Sequence, residues 1–423
     1  MTDDADDPRC LRRLVPAILS AAMLYAPAAA WASTDFQPYA AVDVVDDSNV
    51  FGRPAGSPPL AAQGISNYGD LMEVVTAGAK TVVGWSQEQW TLGLEGSHDN
   101  YDRFTLLDHN EYKLGTALDW RADQVLSGTL SYDQTHVMAP LIDTFATQLL
   151  MNTDKLGQAA FRVLFAPEWR LDLTPRYHEL DSPLPGYPDF ALDEGAGEAA
   201  LNFLGISRLS AGLRYEYAEG EFHDIIDATR YHQGTQGITV DYQVTGLSAF
   251  TLQAGYTSRD SFLAGPTTAS SAAAAELAGV AGRTSGVTGS IGYRREISAK
   301  THIRLDLDRA VQSFVAGANS DVVTGGTAEI DWDPDAMFTV QMRYAAEQDS
   351  IRGPLLLEDI TGRSDHLQTT SLDIIYHFKR QLDIHPYVSY ARRSSTYYLA
   401  NYSATTIGIE IKGHLPEDGA ASD

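Results

Sequence analysis

The sequence predicts an all-β fold: a transmembrane antiparallel β-barrel of about eighteen strands, with short turns at one end and long loops at the other. Three observations predict it. Apolar and polar residues alternate with a period of two from about residue 36 to residue 412. The connections between the alternating segments are short and long in turn. Beyond the N-terminal segment no run of about 18 apolar residues occurs, so a helical span is excluded. The 423 residues are 44% hydrophobic and the mean hydropathy is -0.20. A barrel accommodates those values because only every second strand residue faces lipid.

The chain divides into three expected parts. Residues 1–32 read as a signal peptide: Arg9, Arg12 and Arg13 precede the apolar stretch Leu14 to Ala29, and Ala30-Trp31-Ala32 is an A-x-A cleavage site. Residues 33–412 form the barrel, and residues 413–423 a polar, disordered tail. The single cysteine, Cys10, falls in the signal, so the mature chain has no disulfide, thiolate metal site or cysteine nucleophile. A cysteine-free chain suits passage through an oxidising compartment. The formal charge of -26 disfavours nucleic acid, which needs clustered Lys and Arg.

The alternation is explicit in several segments. Trp90, Leu92 and Leu94 alternate with Thr91, Gly93 and Glu95; Ile303, Leu305 and Leu307 with Arg304, Asp306 and Asp308; Phe338, Val340, Met342 and Tyr344 with Thr339, Gln341 and Arg343. Such runs are strand signals. Short turns are expected near 86–87, 122–123, 167–168, 205–206, 245–246, 298–299, 334–335 and 380–381. Long loops are expected near 46–70, 99–110, 134–150, 179–193, 218–229, 259–284, 310–320 and 347–364. With the N-terminal strand starting in the periplasm, every short turn falls there and every long loop outside. The alanine-rich stretch Ala269 to Ala278 suits either a short helix or a loop of small residues.

Outside the signal the tryptophans are Trp85, Trp90, Trp120, Trp169 and Trp332, and each lies within about four residues of a short turn. They predict an aromatic girdle at one membrane interface. Tyr101, Tyr132, Tyr177, Tyr217 and Tyr256 lie nearer the long loops, as a second girdle would.

No catalytic motif emerges. His178, His232, His302, His377 and His385 lie on strands, none in a recognisable nucleophile context, and no G-x-S-x-G occurs. The expectation is a protein that is not an enzyme, without cofactor. Metal motifs such as H-E-x-x-H and D-x-D-x-D-G are absent too, so no metal site is expected. Val45-Asp46-Asp47-Ser48-Asn49 reads as a turn. The remaining chemistry is the polar strand face. The candidate lumen and substrate-track residues are Lys113, Arg162, Arg170, Asp172, Arg176, Arg214, Glu216, Arg304, Asp306, Asp308, Arg343 and Asp373. Individually they suit cross-strand ion pairs that stiffen a wall. Together they suit a hydrated pore.

The stretch Asn100 to Gln134 (NYDRFTLLDHNEYKLGTALDWRADQVLSGTLSYDQ) resembles EpsL-type outer-membrane proteins of exopolysaccharide biosynthesis, a group of β-barrel porins. Val42 to Phe51, Phe165 to Ser182, Ala211 to Phe222 and Thr251 to Asp260 fit the same pattern. The resemblance implies a part in passing or supporting a secreted polysaccharide, alongside synthesis and export machinery. It supplies no catalytic residues. The expected partners are therefore outer-membrane lipid and lipopolysaccharide, an exopolysaccharide chain and that machinery, at a Gram-negative outer membrane. A general or solute-selective porin, an outer-membrane hydrolase and a non-conducting scaffold are the rival readings.

Overall fold

A computed structural model describes residues 33–58, 67–141, 148–182, 190–223, 229–263, 282–313, 320–355, 358–379 and 381–414. The expected signal, the alanine-rich stretch and residues 415–423 lie outside them. Eighteen strands follow one another: β1 (Ser33–Asp47), β2 (Asp70–Trp85), β3 (Glu88–Tyr101), β4 (His109–Arg121), β5 (Leu126–Met138) and β6 (Met151–Ala166). Then come β7 (Trp169–Ser182), β8 (Phe190–Ile206), β9 (Leu209–His223), β10 (Thr229–Thr245), β11 (Ser248–Leu263) and β12 (Gly282–Ser298). The last six are β13 (Thr301–Ser313), β14 (Ser320–Asp335), β15 (Phe338–Leu355), β16 (Glu358–Phe378), β17 (Leu382–Ser395) and β18 (Tyr402–His414). Each strand pairs antiparallel with the next, and β18 pairs with β1, from Tyr39↔His414 to Asp47↔Thr406. The sheet is therefore closed and leaves no unpaired edge. The barrel continues two residues beyond the expected boundary at 412.

All short turns join strand ends at the rim that also holds the start of β1 and the end of β18. Three of them place a non-glycine residue in the left-handed region: Ser86 (φ 55°), Arg208 (φ 66°) and Lys379 (φ 62°). That backbone matches the twist of a tight hairpin. The turns fall within two residues of their expected places, the turn after β8 at 207–208 being displaced toward the C-terminus.

The opposite end differs more from expectation. Several expected loops are partly strand: β15 runs to Leu355 and β16 begins at Glu358, where a loop over 347–364 was expected. Strands of 13 to 21 residues exceed the roughly 9–11 needed to cross a bilayer. Beyond the apolar band the ladder still satisfies the backbone, so polar sequence there continues as strand. Alternation alone does not show this, because polar residues then occupy both faces. A ninth connection at this end, 396–401, was also not expected. It is a tight turn with 3-10 geometry at Tyr398–Ala400.

Register separates two faces. Val42, Val44, Leu94, Leu213, Ile238, Val287, Leu305, Leu307, Ile407, Ile409 and Ile411 all point outward and are exposed. All five tryptophans share this face near the short-turn rim. Trp90 donates through Nε1 to Thr116 Oγ1 at 2.8 Å, and Trp169 packs on Phe203 with ring centroids 5.1 Å apart. Toward the long-loop rim the outer face turns charged, with Lys155–Glu179 at 2.7 Å and Arg230–Glu221 at 3.0 Å.

Tyr101 departs from the expected outer girdle. It faces inward and is buried with Phe51, Phe104, Leu107 and Leu141 in a cluster formed by long-loop connections over β1 to β6. Asp70 secures this cap, accepting the backbone N–H groups of Phe104 (2.9 Å) and Arg103 (3.1 Å). The expected Val45–Asn49 turn is strand as far as Asp47; the chain turns only beyond it, where Asp47 Oδ1 accepts the Asn49 N–H at 2.7 Å.

Candidate functional site

The twelve lumen candidates all lie on the inner face. Each is directly opposite another inner residue in register: Lys113 opposite Glu95, Arg162 opposite Asp172, Arg176 opposite Ala196, Arg214 opposite Gly237. On the other side of the barrel Asp306 faces Thr327, Asp308 faces Gly325, Arg304 and Arg343 flank Glu329, and Asp373 faces Gln341. One strand face therefore carries charge of both signs around the whole ring.

Their bonding is uneven. The densest group sits on β7 to β9. Buried Glu216 accepts from Arg176 at 2.7 Å and from Arg214 at 2.5 Å. Arg214 also reaches Glu198 (2.9 Å) and Gln253 on β11 (2.8 Å), and Arg176 reaches Glu194 (3.6 Å). Removing one partner of such a desolvated set leaves a charge uncompensated. Arg170 pairs with Asp172 at 2.8 Å and so leaves Arg162, directly opposite Asp172, without an ion pair among the described residues. Asp306, Asp308 and Arg343 also lack one among the described residues. Lys113 binds Glu95 (2.9 Å), Asp373 binds His385 (3.2 Å), and Arg304 stands 3.8 Å from Glu329.

Water reaches this wall. The side chains of Arg304 and Lys113 are 61% and 57% exposed although both point inward. Recesses of about 570 Å³ beside Lys113, Glu95 and Asp133, and about 310 Å³ beside Arg176, Arg214 and Asp308, open along it. A third, of about 340 Å³, is lined by Arg294, Arg304 and Asp331. Hydroxyls complete the lining: Thr235, Thr257 and Thr288 form a chain across three strands at 2.8 and 2.7 Å.

A recurring contact escaped the sequence. Three inward tyrosines lean over a glycine of the neighbouring strand and donate to a carboxylate two strands away. Tyr39 crosses Gly78 to Glu95 (2.5 Å), Tyr387 crosses Gly408 to Asp43 (2.8 Å), and Tyr231 crosses Gly220 to Glu194. The signal is nonlocal: each tyrosine and its glycine are register partners from different strands. The histidines divide between faces. His178, His302, His377 and His385 point inward, while His232 points outward beside Tyr217. One group joins metal-ligating side chains among the described residues: Asp99, His109 and Glu111, at the long-loop rim.

No protein-family model matches the chain. No curated protein matches it either. Among solved structures it is similar to the FrpB iron transporter from Neisseria meningitidis, at 10% identity and a TM-score of 0.46, over 86% of this chain and 63% of that one. It is also similar to Pseudomonas aeruginosa OccK2 (OpdF), at 13% identity and a TM-score of 0.44, over 91% of this chain and 98% of that one. Acinetobacter baumannii OccAB3 aligns at 10% identity and a TM-score of 0.43, over 91% and 99%.

Proposed function

We propose that the chain is a pore of a Gram-negative outer membrane, carrying polar solute through a hydrated, charge-lined lumen, and that its cargo is secreted exopolysaccharide. One observation carries the pore reading: a closed wall of eighteen strands has an apolar exposed outer face and a charged, water-accessible inner face. Only a molecule surrounded by hydrocarbon and filled with water gains from that division. Barrels of this size leave an aqueous channel. The tryptophan-bearing rim then lies at the periplasmic interface, and the charged outer belt faces lipopolysaccharide.

The exopolysaccharide reading is supported by the likeness of the strand phrases between Val42 and Asp260 to EpsL-type proteins, and by the chemistry of the wall. Hydroxyl, carboxylate and guanidinium groups spaced along the lumen exchange hydrogen bonds with a sliding glycan. Weak, repeated contacts permit movement where a single tight site would halt it. Passage is passive, and the wall acts by hydration and hydrogen bonding without catalysis.

Purified protein in planar bilayers is expected to give discrete conductance steps. Deletion of the gene is expected to remove surface polysaccharide while leaving uptake of small solutes unchanged. Absence of any current defeats the pore reading and favours a scaffold. Current with unchanged surface polysaccharide in the deletion strain defeats the glycan reading and favours a general porin.

A further inference from the structure

We propose that Asp99, His109 and Glu111 bind one divalent cation of the zinc class at the long-loop rim of β3 and β4. Asp99 faces His109 directly across this pair, and Glu111 lies two residues further along β4. All three side chains therefore share the inner face. Their ligand atoms lie within 4.8 Å of one another.

The imidazole is held ready for a metal. His109 Nδ1 lies 2.7 Å from the Leu107 carbonyl oxygen, to which it donates its proton. In the neutral ring Nε2 then carries the lone pair, and it points at Glu111 Oε1 (3.1 Å) and Asp99 Oδ2 (3.8 Å). A backbone carbonyl on the far ring nitrogen is the usual support of a ligating histidine. The ring is 3% exposed and stacks with Tyr101 at 6.3 Å, so its direction is fixed.

The spacing suits a small ion. Zinc bonds of about 2.0–2.2 Å in tetrahedral geometry place ligand atoms about 3.4 Å apart. The observed 3.1 and 3.8 Å bracket that value. Three protein ligands leave the fourth position to water. Calcium takes about 6–8 oxygen ligands, more than this set provides.

A charged histidine bridging two carboxylates is the competing account. It explains the approach of Nε2 to Glu111. It does not explain the Asp99 carboxylate, whose Oδ2 stands 3.8 Å from Nε2, beyond hydrogen-bond reach, and whose Oδ1 is buried without a hydrogen-bond partner among the described residues. A buried carboxylate with so few partners is costly, and a cation held by its Oδ2 offsets that cost. The ion would also tie the connection 102–108, through Leu107 and His109, to the barrel wall.

The test uses the full-length, untagged barrel refolded in detergent and titrated calorimetrically with zinc chloride near neutral pH. One equivalent is expected to bind. Asp99→Asn and His109→Gln are each expected to weaken binding at least tenfold, while His98→Ala, on the outer face of β3, leaves it unchanged. X-ray absorption at the zinc edge on the wild-type protein is expected to show one nitrogen and two or three oxygens without sulfur. A folded wild type that binds no zinc overturns the proposal. So does stoichiometric binding retained in either folded variant, or a zinc environment lacking imidazole; the three side chains are then a salt bridge only.

Discussion

Gly78 shows how much of the inner wall depends on a missing side chain. A Cβ there would lie 2.6 Å from the Tyr39 ring and 2.8 Å from the Leu94 carbonyl oxygen. Tyr39 could not then lie across β2 to donate to Glu95, which Lys113 also holds. Gly78→Val is expected to displace the ring and leave Glu95 to Lys113 alone, costing about 1–3 kcal/mol as overpacking does. The measurement is the urea midpoint of the folded gel band. An unchanged midpoint would mean that the tyrosine contact adds nothing to stability. Composition and alternation place Tyr39 and Gly78 on strands, yet which glycine faces which tyrosine depends on register. Register is fixed by the packing of whole hairpins. Asp99 and His109 were illegible for the same reason, being ten residues apart in sequence and face to face only through the hairpin.

The strands carry their own test of sidedness. In β13, Leu305 points out and Asp306 points in, beside Thr327. Single cysteines at these positions should therefore react differently. Asp306→Cys is expected to be labelled by a membrane-impermeant maleimide entering through the lumen. Leu305→Cys is expected to react only with a lipid-soluble reagent. Equal labelling of both by the impermeant reagent would remove the lipid-facing assignment. The strand bodies were readable because alternation has the period of the pleat, and the short turns because tight hairpins leave little room for error. The long-loop rim was less readable. Polar residues on both faces erase the alternation where strands rise above the membrane, as at Glu347, Gln348, Asp349 and Ser350. Tyr101 went astray there for a related reason: an aromatic at a strand end serves equally in an outer girdle or beneath a loop cap, and only the cap formed by Phe51, Phe104 and Leu107 decides.

For the barrel as a whole, the decisive property is the fixed charge of the lumen. Net charge of the chain does not set it alone, because ion pairs along the wall cancel part of the charge. What matters is which inner charges lack a partner. Arg343 is exposed, has no ion pair among the described residues, and stands on the same wall as Arg304. Unpaired cations in a narrow hydrated passage attract anions and repel cations. Arg343→Glu is therefore expected to shift the reversal potential across a salt gradient toward cation preference. The same exchange at Arg214 would confound the reading, because it would also strip Glu198 and Glu216 of their partner. The shift should be largest in dilute salt, where charges act over about 30 Å at 0.01 M, and small at 1 M, where screening confines them to about 3 Å. A reversal potential unaltered at low salt would mean that ions do not pass this wall, and the conducting path would have to lie elsewhere.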